Sequence, residues 1–224
     1  MRRVRLVVGV VIVWLGVAPA GAAASTVALW HMDEHSGTTM TDAVGSSTGA
    51  LHDVTVGVPG AEGTAYRFDG RMSYVAVPSS PLLNPGSARL TFTARVRYTV
   101  TPPNTSTTDY DVLRKGTASD SAQFYKLEIR PDNRAVCRFV GSKTSSKGLL
   151  IHTGPALNDG RWHTITCEKT SSQIRLVIDG VVHAKSGTVG SISNTGALTL
   201  GAKAGRTASD FYNGDLDEVS VSIG

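Results

Sequence analysis

The sequence is short of most features by which a function announces itself. It holds two cysteines in 224 residues, Cys137 and Cys167. Neither lies in a metal-ligand cluster, and no closely spaced dithiol occurs, so a zinc ribbon and a redox motif are both excluded. No stretch carries the 3.6-residue periodicity of a long amphipathic helix, and no Gly-rich loop feeds a helix, so nothing supports phosphate cradling. Past the N-terminal region there is no long apolar run. Basic residues do not form a dense run: Arg89, Arg95 and Arg97 lie near one another, as do Lys143 and Lys147. They read as solvated surface charge and give no footprint for nucleic acid. The six histidines show no zinc-type spacing with a cysteine and assemble no Ser-His-Asp set.

What is present begins with a leader. Arg2, Arg3 and Arg5 precede an apolar run from Leu6 to Ala18, then Pro19 and small residues to Ala24. This is the layout of a secretory signal peptide. The apolar run is 13 residues, too short for a bilayer-spanning helix of about 20. Cleavage after Ala24 is preferred over cleavage after Ala22; it assigns residues 1–24 to the signal and 25–224 to the mature chain. The expectation is a secreted protein without stable membrane insertion. Export also changes the charge argument. The formal charge of the whole chain is +4, and three of the positive charges are discarded with the leader, which leaves +1. In an oxidising compartment, one disulfide between Cys137 and Cys167 is the plain reading.

The mature chain alternates with period two. In residues 88–100, Leu90, Phe92, Ala94, Val96 and Tyr98 share one face, while Arg89, Thr91, Thr93, Arg95 and Arg97 share the other. That is a strand with one buried and one wet face. Further strands are read at 27–33, 50–56, 73–77, 123–130, 134–140, 162–169, 174–184, 197–202 and 216–223. Asp179-Gly180 inside 174–184 is a tight hairpin signal. Short strands at regular spacing predict an all-β, two-sheet antiparallel sandwich in one domain. The loop 101–111 contains a formal glycosylation sequon at Asn104.

Four stretches together resemble the laminin G-like branch of the concanavalin A-like jelly rolls: VALWHMDEHSGTTMTDAVG at 27–45, GTAYRFDGRMSYVAVPSSPLLNPG at 63–86, LNDGRWHTITCEKTSSQIRLVIDG at 157–180 and FYNGDLDEVSVS at 211–222. They occur in the family's order and span nearly all of the mature chain. The resemblance implies two facing antiparallel sheets of about six or seven strands each and makes a bridge between neighbouring strands from Cys137 to Cys167 plausible. It also implies one structural calcium ion near the meeting of the first and last strands, with Asp33 and Asp217 as ligands and backbone oxygens near Ser36 and Gly37. Two carboxylates brought together would repel unless a cation bridged them. One departure is that the chain stops at its last strand, where family members often continue in a short tail.

For function, the resemblance implies a secreted, non-catalytic binding module, with an extracellular glycan or protein as partner. A sugar needs exposed aromatic rings beside polar groups, and Tyr110, Phe211 and Tyr212 lie in or near loops where they can serve. Trp30 alternates inside a strand and reads as core. Asp69 reads as a turn residue bonding the amides around Gly70. An adhesion domain without a sugar site is the alternative. A weak glycoside hydrolase is a further one, but the acid run Glu-x-Asp-x-x-Glu of related glucanases is missing, and Asp215-Leu216-Asp217-Glu218 differs in spacing and acid type.

Overall fold

The computed structural model describes residues 24–103, 109–117, 123–203 and 209–224. The proposed leader, up to residue 23, and the Asn104 sequon lie outside them. In chain order the strands are β1 (Ser25–Trp30), β2 (Thr39–Met40), β3 (Gly49–His52), β4 (Thr55–Pro59), β5 (Thr64–Asp69), β6 (Tyr74–Val77), β7 (Leu90–Arg97), β8 (Tyr110–Lys115), β9 (Phe124–Ile129), β10 (Ala135–Val140), β11 (Leu149–His152), β12 (His163–Lys169), β13 (Gln173–Ile178), β14 (Val181–Ser186), β15 (Leu198–Leu200) and β16 (Asn213–Ile223). A 3-10 turn at Pro81–Leu83 is the sole helical element among the described residues, and no helix there is long and apolar enough to cross a membrane.

Two eight-stranded antiparallel sheets face each other. The first runs β14-β13-β12-β7-β16-β5-β4, with β1 also paired to β16; the second runs β11-β10-β9-β8-β15-β6-β3-β2. Each sheet is thus one or two strands wider than expected. The extra strands are short edge pieces such as β2, whose two residues carry too little pattern to be read. The sandwich closes where β16, eleven residues long, lies beside β7 along much of its length and takes β5 and then β1 on its other side.

The core follows from the alternation. Leu90, Phe92, Ala94, Val96 and Tyr98 are all buried, as is Trp30. Phe92 of the first sheet packs on Tyr125 and Phe139 of the second, with ring centroids 5.2 and 5.8 Å apart. The β13–β14 hairpin turns on Asp179 and Gly180, both at positive φ (49° and 84°), as a two-residue turn matching strand twist requires.

Cys137 and Cys167 form the disulfide, with Cα atoms 5.5 Å apart. Its path differs from the expectation. Cys137 is on β10, between Leu127 and Ile151, whereas Cys167 is on β12, between Phe92 and Leu176. The bridge therefore runs through the core from one sheet to the other and does not join neighbours on one sheet.

The outer faces of the two sheets differ. Along β7 the outward residues are half-exposed, in strict alternation with the core. Along β8 and β9 every residue is buried, on both faces, although the outward set includes Asp111, Arg114, Lys126 and Glu128.

Candidate functional site

The outward charges of β8 and β9 meet because the pairing shifts register between Asp111 and Leu113, which brings Asp111 and Arg114 to one face: Asp111 pairs with Glu128, and Arg114 with Lys126. Lys126 sits at the centre. Its Nζ lies 3.0 Å from Asp111 Oδ1 and 3.3 Å from Asp109 Oδ2, and it contacts Glu128 Oε2. Arg114 Nη1 donates to Asp111 Oδ2 at 3.1 Å, and Arg130 pairs with Glu128 at 3.1 Å. Asp111 and Glu128 are 0% and 1% exposed. Buried charge is tolerated only when paired in this way. The Arg114 guanidinium also lies over the Phe124 ring, 4.7 Å from its centroid, a cation–π contact that covers part of this face.

The network reaches the end of the sandwich through Asp109 and Asp210. Asp111, Asp109 and Asp210 each offer a carboxylate oxygen within 4.8 Å of the others, and Asp210 also accepts the Asp111 amide through its carbonyl at 3.0 Å. Burial, then the charge of Asp111, pushes Asp109 up to about 8. The same two causes raise Asp210. Burial opposes the charges on Lys126 and Glu128. The surrounding acids nevertheless hold the Lys126 pKa above the usual lysine value, and Lys126 holds Glu128 below the usual carboxylate value. Asp109 Oδ1 is buried without a hydrogen-bond partner. A proton retained on Asp109 at neutral pH can be donated to Glu128, and that hydrogen bond, with the one from Lys126, helps depress Glu128.

At this end lies a groove in two abutting parts. One part, about 220 Å³, is lined by Asp109, Asp210 and Phe211; the other, about 400 Å³, by Arg67, Arg97 and Asp215; both include Val100 and Asn213. Arg67 and Arg97 grip the Asp215 carboxylate at 2.7 and 2.8 Å, and Arg97 stacks on Trp162, 4.5 Å from the ring centroid. Arg97 is thus a structural arm at the groove, not a merely solvated charge.

Of the aromatic candidates, the structure leaves Phe211 half-buried at the groove and moves the other two into the core. Tyr110 is 3% exposed and Tyr212 0%. With Tyr98 they form an edge-to-face cluster, centroids 5.5 to 6.1 Å apart. Their hydroxyls donate to backbone carbonyls, Tyr110 to Val100 at 3.1 Å and Tyr212 to Asp215 at 3.2 Å. Burial raises both pKa values. Neither ring has a face left for a sugar. They are the floor of the groove end, held there because a buried tyrosine needs an acceptor and the chain turning back at the sandwich end provides one.

Asp33 and Asp217 come to the same turn, Gly60 to Thr64, but do not form an oxygen cage. Asp217, fully buried, accepts the amides of Ala61 and Glu62 on Oδ2, at 2.7 and 3.0 Å, and that of Glu218 on Oδ1 at 2.9 Å. Asp33 accepts the Thr64 amide at 2.7 Å. Backbone N–H groups do here what a cation was expected to do, and an N–H cannot ligate calcium. Burial raises the Asp217 pKa against those amides. By donor chemistry alone, the Asp109, Asp111 and Asp210 set can coordinate a divalent cation. Sequence reading missed these three. Asp111 alone lies on a strand face, and only the β8–β9 register shows what faces it. Asp69 is a turn residue as expected; its Oδ1 accepts the amides of Arg71, Met72 and Ser73.

Comparison with known proteins bears on this geometry. A laminin G family model described as the concanavalin A-like lectin/glucanases superfamily matches residues 68–222. Neurexin-4 of Drosophila melanogaster is 28% identical over 89 residues, 38% of this chain and 7% of that protein. The binding domain of Paraclostridial Mosquitocidal Protein 1 superposes with a TM-score of 0.69 at 15% identity, over 88% of this chain and 48% of the other. Domain 4 of AbnA, an extracellular arabinanase of Geobacillus stearothermophilus solved with arabinotriose, superposes with a TM-score of 0.61 at 16% identity, over 90% of this chain and 93% of the other. At such identities the structural likeness shows the fold alone, and the chain spans only a small part of its Drosophila relative.

Proposed function

The chain belongs to the concanavalin A-like lectin/glucanase superfamily, and from that premise we propose that its residues 25–224 are a secreted, non-catalytic module that binds carbohydrate at the groove beside Asp210 and Phe211. The observation that carries this reading is the composition of the groove. One half-buried ring is flanked by carboxylates on one side and by Arg67 and Arg97 on the other, which offers a stacking face together with donors and acceptors for hydroxyls. Domain 4 of AbnA, matched almost end to end, is a domain of this fold with a sugar bound, and it supports the class of ligand.

The carboxylates argue against hydrolysis. Glycoside cleavage needs two acids flanking the scissile bond. Here Asp111 and Glu128 are sealed from solvent and held by Arg114, Lys126 and Arg130. Asp109 and Asp210 line the groove with carboxylate oxygens within 4.8 Å of each other, but burial and the charge of Asp111 raise both pKa values, which disfavours the ionised nucleophile or base that cleavage requires. Calcium, if taken up, belongs at Asp109, Asp111 and Asp210, where it would supply fixed charge beside the groove and replace the proton on Asp109.

A glycan array probed with the 25–224 protein, with and without EDTA, tests the reading. The expected result is reproducible binding of one sugar class that falls at least tenfold in Phe211→Ala and in Asp210→Asn. Silence across a broad array, or capture of an extracellular protein at full strength by both variants, would overturn it.

A further inference from the structure

Sheet edges are templates for further strands unless something blocks them. Most edges of this sandwich are blocked. β4 carries a register shift between Thr55 and Val58 and ends in Pro59. β2 is two residues long. The open side of β1 is taken by residues 42 and 43: Asp42 Oδ1 accepts the Leu29 amide and Ala43 donates to the Leu29 carbonyl. On β11, the Leu150 carbonyl is taken by Lys185 Nζ at 3.0 Å.

β14 is different. It pairs with β13 without a bulge from Val181 to Ser186, contains no proline, and exposes Val181 and Val182 at 61% and 59%. The two-residue turn makes Ile178–Val181 the closing hydrogen-bonded pair, and Leu176–His183 and Ile174–Lys185 follow by alternation. The Gly187 amide donating to the Ser172 carbonyl at 2.9 Å keeps the same phase. Val182, Ala184 and Ser186 therefore turn their N–H and C=O groups outward. Beside them a groove of about 640 Å³ runs between β14 and β11, lined by Ile151, His152, Val182 and Lys185.

We propose that this edge is a self-association surface on which β14 pairs antiparallel with β14 of a second copy, continuing the first sheet across a two-fold axis. The strand is complementary to itself. An axis through His183 sets Val182 against Ala184 in the hydrogen-bonded pairs, where the small side chain gives room, and sets Val181 against the Lys185 stem. Each of these contacts is made twice by symmetry. An axis through Ala184 would instead oppose Lys185 and His183. The six-residue ladder buries less surface than a standard stable interface, so the dimer is weak and concentration-dependent.

Sedimentation velocity on the 25–224 protein, from about 1 µM to about 1 mM, reads this directly. The weight-average mass rises from monomer toward dimer. Ala184→Pro removes an outward N–H that β13 does not use, and Val182→Lys places a charge in the new ladder. Both variants stay monomeric over the whole range with unchanged thermal midpoints. A wild-type chain monomeric throughout, a dimer that survives both substitutions, or an extended peptide that binds this edge of a protein that never dimerises would each overturn the proposal.

Discussion

The two sheets solve the same problem of outward charge in opposite ways. On the first, charges pair at the surface: Arg89 with Glu168 at 2.7 Å and Arg95 with Glu62 at 2.8 Å, with the arginine side chains 48% and 31% exposed. On the second, Lys126, Asp111 and Glu128 are paired out of contact with water. Surface pairs gain little, because water screens them and long side chains lose freedom. Buried pairs gain little in sum either, since desolvation offsets attraction, but breaking one leaves an uncompensated charge. The difference teaches that the second sheet's charges specify the arrangement of the face leading to the groove, while the first sheet's pairs at Arg89 and Arg95 mainly keep a wet face wet.

The sharpest way to break this contrast is Lys126→Met. It leaves Asp109, Asp111 and Glu128 facing one another, and the expected loss is about 3–5 kcal/mol of unfolding free energy, measured by urea denaturation. A loss below about 1 kcal/mol would mean that the two faces are energetically alike. Reducing the bridge that ties the sheets together comes next. Cys137→Ser with Cys167→Ser should cost about 2–4 kcal/mol, without loss of the all-β circular dichroism spectrum.

How much of this was legible follows from which signals are local. The strand at Leu90 to Tyr98 and the Asp179-Gly180 hairpin are written in consecutive residues, and both stand where expected. The Cys137–Cys167 pairing was legible by elimination, but its route across the core was not, because spacing in sequence does not say which sheet a strand joins. Tyr110 and Tyr212 looked like loop residues for a related reason. Tyr110 stands between two aspartates and Tyr212 precedes Asn213 and Gly214, and what shows their burial is the packing of the two rings on Tyr98 and on each other. Nothing local in the strand at 123–130 marks Lys126 and Glu128 as buried; that shows only once β8 is laid beside β9. Asp217 misled through a sound premise: a carboxylate at the strand junction does need compensation, but amides of the 60–64 turn supply it.

The next effect concerns pH. Asp109 has a folded-state pKa of about 8, above an unfolded value of about 3.9. The folded chain therefore holds a proton that the unfolded chain releases. That contribution to stability is fully present below the unfolded value and is lost as pH rises through the folded one. His163, hydrogen-bonded to Asp179 and Asp159 at 2.7 and 3.0 Å, has its pKa raised by these acids against the opposing effect of burial. It contributes in the same direction, with its stability lost as pH rises above about 6.5. Urea midpoints from pH 5 to 8 should thus fall in the wild type. Asp109→Asn should flatten most of that slope and His163→Gln a smaller part. An unchanged slope in Asp109→Asn would show that no proton is held at the second sheet's end.

The smallest effect is the control that gives the others meaning. On the first sheet, Glu168 touches Arg89 at 2.7 Å and Arg175 at 3.3 Å, so removing one arginine leaves the acid partnered and reachable by water. A double-mutant cycle on Arg89→Ala and Glu168→Ala should return a coupling of about 0.2–1 kcal/mol that shrinks as salt is added. The same cycle on Arg114→Ala and Asp111→Ala, across the buried network, should return more and should respond little to salt, because ions do not enter the gap. Equal couplings with equal salt dependence would mean that water reaches both faces alike, and the sealed charges of the second sheet would no longer set it apart from the first.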